Sequence, residues 1–202
     1  MMRVTRWILP HAVVAAWDWA RRFEAIGLRP LSAWRAASFG ASRRSLVASR
    51  LELLPPGLVR SLRTIVDVGA NEGAWLESVL ALHEVNEIHA FEPNPEAFER
   101  LERRLAARPR VNLHRIALGD RVARASLNVT GNDSLASLLS PAPLLAEAYT
   151  EPRATVLRQI EDEVDTLDRV VPESLEVDLL KIDVQGYEAR VLGGGHRLLG
   201  RT

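Results

Sequence analysis

The sequence of 202 residues contains no cysteine, one lysine and few aromatic residues. Without cysteine the chain forms no disulfide and offers no thiolate to a metal ion, so neither a disulfide framework nor a zinc-thiolate site is expected. The longest apolar stretch, near the N-terminus, is interrupted by Pro10 and His11 and is too short to span a bilayer. A cytoplasmic protein is the simplest interpretation, and the length suits one α/β domain with an appendage.

The net charge is zero, but the charges are unevenly distributed. Residues 1–63 carry 11 arginines and three acidic residues, a net charge of +8, and the remainder carries −8. A negative remainder argues against an extended surface for nucleic-acid phosphates, so no nucleic-acid partner is predicted. Lys181 is the only lysine among 26 basic residues, a bias that we attribute to genome composition.

Residues 1–63 are predicted to form a helical, basic N-terminal extension. An apolar stripe from Trp7 to Trp19 is interleaved with arginines. Three interpretations remain open: a cap packed on the following domain, a surface that contacts a membrane or a protein partner, and a targeting segment. A membrane contact would make the cytoplasmic protein peripheral to the membrane. Two prolines then separate this extension from a second domain, residues 64–202.

The stretch Thr64–Gly73 has the order strand, glycine turn and helix, which is typical of a nucleotide site. We expect Gly69 and Gly73 to let the backbone approach a ligand, and the Asp67 carboxylate at the strand end to reach the bound molecule. A dinucleotide fingerprint requires further glycines, one of them at the position of Asn71. A nicotinamide-dependent oxidoreductase is therefore the poorer interpretation.

The second predicted strand, Glu87–Phe91, leads directly into Glu92. Glu92 lies 23 positions after Gly69, close to the spacing at which an acidic residue reaches a ribose in βαβ nucleotide folds. A carboxylate accepts hydrogen bonds from both ribose hydroxyls at once. Asn94 and Pro95 then have the pattern of an N-cap and a first helical residue.

A third strand region is predicted over Val111–Leu118. Ala117 and Leu118, at the end of this region, are candidate apolar walls of a nucleotide pocket. Asp120 is either a polar contact to the bound base or an ordinary turn residue, and the sequence leaves both open.

Further strands are predicted at Ala125–Val129 and Thr155–Val164, with a short helical turn at Thr166–Val170. A small polar loop around Gly131–Leu139 is expected to lie over the cleft, and its Ser134 is a candidate substrate contact.

The last informative stretch is a buried-type strand, Val177–Ile182, followed by Asp183. Ligands bind outside the carboxyl ends of the strands in open α/β sheets. Asp183 is therefore predicted to face the same crevice as Asp67 and Glu92. Three strands that each deliver a carboxylate or a glycine turn to one edge indicate a binding site.

These motifs resemble those of the FkbM-type methyltransferases, which belong to the class I S-adenosylmethionine-dependent superfamily. The resemblance rests on five stretches in the same order: Asp67–Gly73, Phe91–Pro93, Ala117–Asp120, Thr166–Asp168 and Lys181–Glu188. It implies a Rossmann-like α/β sheet, S-adenosylmethionine as cofactor, and O-methylation of a hydroxyl on a small molecule such as a sugar, a glycolipid or a polyketide-like natural product.

The resemblance also implies roles for individual residues. The methionine half of the cofactor is expected near the start of the first helix, the ribose at Glu92 and the adenine beside the third strand, which gives the cofactor-binding set Asp67, Gly69, Ala70, Asn71, Gly73, Glu92, Ala117, Leu118 and Asp120. Asp183 is the candidate catalytic base, ahead of His196. Substrate contacts are assigned to Ser134, Gln185 and Glu188. Many family members have Glu at the position of Gln185. Asp183 and Glu188 alone do not establish a divalent-cation site, so no metal ligand is assigned.

The family sheet has seven strands, whereas this chain ends shortly after the predicted fourth. We therefore expect an incomplete sheet with an exposed hydrophobic edge, as in a fragment, a truncated gene product or a protein completed by another chain. The alternative function is a catalytically inactive cofactor-binding or interaction module, with the N-terminus bound to a membrane or partner.

Overall fold

The computed structural model describes residues 62–81, 83–105, 107–130, 136–139 and 155–200. In chain order the elements are β1 Thr64–Val68, α1 Ala74–Leu80, β2 Glu87–Phe91, α2 Pro95–Leu105, β3 Val111–His114, β4 Ala117–Leu118, β5 Ala123–Thr130, β6 Val156–Asp165, α3 Leu167–Val170, β7 Leu179–Ile182, α4 Glu188–Gly193 and α5 His196–Leu199. The predicted N-terminal extension, apart from its last two positions, and Ser134 lie outside the described residues.

The central sheet is parallel, with the strand order β3-β2-β1-β7. This confirms the predicted Rossmann-like α/β class. β1 lies in the interior of the sheet and four of its five residues are buried. A strand covered on both faces needs apolar residues at consecutive positions, which explains the run of β-branched side chains in β1. Within the described ranges, β7 is the outermost strand on its side of this sheet.

Helices cover both faces of the central sheet. On one face Leu76 of α1 and Leu101 of α2 pack against Ile65. On the other face the core includes Val68, Phe91, Leu118, Leu167, Val191 and Leu198. Among the helices that the structure describes, none is long and apolar enough to cross a membrane.

The third predicted strand is divided between two sheets, which corrects the expectation of one strand over Val111–Leu118. β3 belongs to the central sheet, whereas β4 pairs in parallel with the end of β6. Two intervening residues carry the chain from one sheet to the other. The second sheet has the order β4-β6-β5, and its antiparallel β5–β6 pair confirms the two strands predicted there.

Candidate active site

Three strands of the central sheet end in register at one edge. Val68 of β1 is paired with Phe91 of β2 and with Ile182 of β7. The backbone N–H of Asp183 donates to the carbonyl of Val68 at 2.9 Å, which brings the chain after β7 against the glycine turn. The predicted meeting of the three motifs at one sheet edge is therefore confirmed.

The backbone N–H groups of the glycine turn all donate to acceptors within the protein. The N–H groups of Gly69 and Ala70 both donate to the carbonyl of Phe91 at 3.0 Å, and that of Gly73 donates to Ala70 at 3.0 Å. Asn71 N–H donates to Glu92 Oε2 at 2.8 Å, and Glu72 N–H donates to the side-chain oxygen of Asn71 at 2.6 Å. A phosphate-binding turn directs several such groups at its ligand. The arrangement argues against a dinucleotide pyrophosphate here.

Gly69 and Gly73 allow neighbouring parts of the chain to pack closely against the turn. Gly69 has φ of 77°, and a Cβ at this position would lie 2.0 Å from the carbonyl oxygen of Asp183. Gly73 has φ of 79°, and its Cβ would lie 2.7 Å from a methyl carbon of Leu101. The space that we expected a ligand to use is thus filled by the segment after β7 and by α2. Both positions favour glycine by conformation, and Gly69 also requires it for room, because its neighbour is a backbone atom.

Asp67 lies beneath the turn, with no exposed surface. Its Oδ1 is 2.9 Å from Nζ of Lys181, which also donates to the carbonyl of Gly69 at 2.6 Å. Burial raises the pKa of Asp67 and the ammonium of Lys181 opposes that shift. In this position the carboxylate contacts Lys181 and does not reach the surface where we expected it to contact a bound molecule.

Glu92 joins the glycine turn to the start of α2. Its two oxygens accept from the N–H groups of Asn71 and Asn94 at 2.8 and 2.9 Å, and the residue is 6% exposed. Burial raises the pKa of Glu92 to about 7, against the opposing effect of these hydrogen bonds. Asn94 also accepts from the N–H of Glu96 at 3.3 Å, which confirms the predicted N-cap.

Asp183 and Gln185 form the third part of the site. The side-chain amide of Gln185 donates to Asp183 Oδ1 at 2.8 Å, and both residues are half-buried. Gln185 has φ of 54° and Gly186 has φ of 101°, so two successive residues are left-handed. A non-glycine residue in this conformation stores backbone strain, and such strain is concentrated at functional sites.

The strained turn is held from two sides. Ser137 Oγ donates to the carbonyl of Gln185 at 3.0 Å, which ties the segment 136–139 to the turn. Glu188 Oε1 accepts from the N–H groups of Val184 and Gly186 at 3.2 and 3.0 Å. Glu188 therefore stabilises the turn after β7, a contact that the expected substrate role did not include.

The three residues expected near the adenine differ in burial and in their contacts. Ala117 and Leu118 are buried, and Leu118 packs in the core with Leu167. Asp120 forms an ion pair with Arg190 of α4 at 2.8 Å. The two apolar residues are thus part of the core under the site.

Two residues of this region were not in the sequence-based set, Lys181 and Ser137. Lys181 had a signal, because it is the only lysine in a chain with 25 arginines and it interrupts a buried strand. Ser137 had none beyond its place in a polar loop. In the described ranges no group of three or more His, Asp or Glu side chains is arranged to hold a metal ion.

Known proteins show similarity to this chain in sequence and in fold. A curated relative, the 2-O-methyltransferase NoeI of Sinorhizobium fredii strain NBRC 101917 / NGR234, is 28% identical over an alignment of 150 residues, which covers 68% of this chain and 59% of the relative. The chain therefore spans less than two thirds of the length of that relative.

Two solved structures are also similar. The methyltransferase FkbM from Methylobacillus flagellatus KT has a TM-score of 0.46 at 17% identity, over 68% of this chain and 30% of its own. The S-adenosylmethionine-bound CalS10, an amino pentose methyltransferase from Micromonospora echinaspora, has a TM-score of 0.30 at 24% identity. This match covers 41% of this chain and 34% of CalS10. The family profile of the methyltransferase FkbM domain matches residues 67–202, and the chain belongs to this family.

Proposed function

We propose that this chain transfers the methyl group of S-adenosylmethionine to a hydroxyl of a small molecule, with a sugar hydroxyl as the first class to test. The observation that carries the proposal is the meeting of the glycine turn, Glu92 and Asp183 at one sheet edge. Family membership supports the reaction type, and the relative named as a 2-O-methyltransferase supports a hydroxyl acceptor.

The residues fit a nucleoside that carries no phosphate. The N–H groups of the turn already donate to acceptors within the protein, so they are not available to bind an anionic pyrophosphate. Glu92 holds a carboxylate beside the turn, and each of its oxygens keeps a second lone pair after accepting one backbone hydrogen bond. We assign Glu92 to the ribose and the half-buried Asn71, which follows the buried Ala70, to the methionine half. Asp120 remains the candidate for the adenine amine.

The bound cofactor supplies an electrophilic methyl group on a sulfonium, so the protein contributes mainly orientation and proton removal. The acceptor hydroxyl loses its proton as it attacks. Asp183 is our candidate to take that proton, and two observations support it: it follows β7 at the same edge, and the Gln185 amide donates to its carboxylate. Gln185 is thereby occupied with Asp183.

The proposal is tested in two steps. Calorimetric titration of the chain with S-adenosylhomocysteine should give one-to-one binding. Transfer of labelled methyl from S-adenosylmethionine should then be detected with a hydroxylated sugar acceptor. Binding without transfer to any acceptor of a broad saccharide and glycolipid panel would favour an inactive cofactor-binding module. Absence of binding by the folded chain would contradict the proposed cofactor.

A further inference from the structure

Lys181 lies directly opposite Asp67 in the parallel pair of β7 and β1. Its side chain is 13% exposed and its ammonium lies 5.8 Å from the centre of the Trp75 ring of α1. The lysine therefore points from the sheet into the layer between β1 and α1, beneath the glycine turn.

The ammonium joins this layer to the turn by two short contacts. It donates to the carbonyl of Gly69 at 2.6 Å and lies 2.9 Å from Oδ1 of Asp67. The contact with Asp67 is an ion pair of charged groups at short distance, whereas the contact with Gly69 also has the angles of a hydrogen bond. The Gly69 carbonyl is thus the acceptor that Lys181 holds in a well-formed hydrogen bond.

The acidic side chains around Lys181 come from the ends of β1, β2 and β7. Burial lowers the pKa of Lys181, but attraction by Asp67, Asp183 and Glu92 outweighs burial and leaves that pKa raised. One ammonium is therefore shared by the carboxylates that β1, β2 and β7 deliver. Removing it would leave a fully buried Asp67 without its cation, a costly change.

The choice of lysine at this position has a physical reason. The other 25 basic residues of the chain are arginine, so the composition favours arginine wherever a cation suffices. An ammonium is a compact charge with three donors, whereas a guanidinium is a broad planar fork. We infer that the compact head is what suits a place between Asp67, Gly69 and the Trp75 ring.

We propose that Lys181 is a positioning residue that fixes the glycine turn by holding the Gly69 carbonyl, and so keeps the turn in the shape that receives the cofactor. The effect of Lys181 on cofactor binding rests on the proposed function, whereas its effect on the turn does not. The backbone N–H groups of residues 69–73 all donate hydrogen bonds, so their exchange with solvent deuterium reports the order of the turn.

The test compares amide exchange and S-adenosylhomocysteine titration in wild type and four variants. Asp67→Asn/Lys181→Met removes the buried ion pair and so does not leave the Asp67 carboxylate buried without its cation. We expect exchange at least tenfold faster at 69–73, unchanged exchange in 97–105, and at least tenfold weaker binding. Asp67→Asn alone keeps the lysine and should keep slow exchange. The Lys181→Arg variant should lose the slow exchange at 69–73. Arg169→Met removes an exposed cation paired with Asp165 and serves as control.

Unchanged exchange at 69–73 in the double variant would overturn the proposal, because Lys181 would then serve only to neutralise Asp67. Equal loss of protection in Asp67→Asn would overturn it as well. If the double variant does not fold, Asp67→Asn and Lys181→Arg decide by the same criterion. A wild-type chain that does not bind S-adenosylhomocysteine would contradict the proposed cofactor, while the exchange data would still decide the role of Lys181.

Discussion

Asp183 is half-buried, and the Gln185 amide at 2.8 Å fixes one of its carboxylate oxygens. Asp183→Asn keeps an oxygen for this hydrogen bond but accepts no proton. If Asp183 is the base, we expect kcat to fall by roughly 10²–10⁴, the contribution of general-base catalysis. The Kd for S-adenosylhomocysteine should stay within about threefold of wild type, because the variant retains shape and polarity. Stopped-time methyl transfer and calorimetry measure the two quantities, and retained kcat would exclude Asp183 as the base.

Gly69 tests whether the turn is limited by protein packing. An added Cβ would meet the Asp183 carbonyl oxygen at 2.0 Å and would force a left-handed φ of 77° on a non-glycine residue. We expect Gly69→Ala to lower the free energy of unfolding by about 2–5 kcal/mol, from strain and overpacking together. Gly200→Ala is the matched control, since its added Cβ would have ordinary contacts of 3.5 Å. Urea unfolding measures both, and equal stability of the two variants would contradict the packing argument.

At the scale of elements, the segment 136–139 is coupled to the turn after β7. Ser137 Oγ donates to the Gln185 carbonyl at 3.0 Å and accepts from Leu139 N–H at 3.1 Å. Ser137→Ala leaves both groups without this partner, and because both contacts are only partly buried the cost is about 1 kcal/mol for each lost hydrogen bond. The strained turn that carries Gln185 should then relax.

We expect Ser137→Ala to lower kcat and to speed deuterium exchange in 184–187, with little change in affinity for S-adenosylhomocysteine. Ser126→Ala, on β5, is the control and should change none of the three. An equal effect of both substitutions on exchange would show that β5 as a whole, and not Ser137, supports the turn.

The sequence predicted where the strands end but not how each side chain is oriented. Asp67, Glu92 and Asp183 were identified because each follows an apolar run, and a shared sheet edge follows from parallel topology. The burial of Asp67 depends on register with Lys181, a residue far away in the chain, and no local pattern records that register.

The division of Val111–Leu118 between two sheets has a similar cause. Both β3 and β4 contain apolar residues at strand spacing, and the change of sheet is set by pairing of β4 with Val164 and Asp165. Glu188 likewise follows the strand as an acidic residue, yet its oxygen is used by the N–H groups of Val184 and Gly186. Local pattern thus located the elements of the candidate site, while long-range pairing set the contacts within them.

At the scale of the whole molecule, burial of Glu92 links the site to the stability of the fold. Its pKa is raised to about 7 in the folded chain from 4.5. Between these two pH values the unfolded chain has released the proton and the folded chain still holds it. The unfolded state therefore binds fewer protons, and the free energy of unfolding falls as pH rises through this window.

Glu92→Gln removes this titration and isolates its effect on stability. All other ionisable groups are common to both proteins, so the difference in unfolding free energy between the variant and wild type should rise in favour of the variant by about 3 kcal/mol from pH 4.5 to above pH 7. The amide loses one of the two backbone hydrogen bonds, and this cost is the same at every pH. Urea unfolding at a series of pH values gives the difference. Parallel stability curves would contradict a raised pKa at Glu92.

If Glu92 binds the ribose, the stabilised variant should also bind S-adenosylhomocysteine at least tenfold more weakly, because the buried carboxylate lowers stability near neutral pH while it serves the ligand.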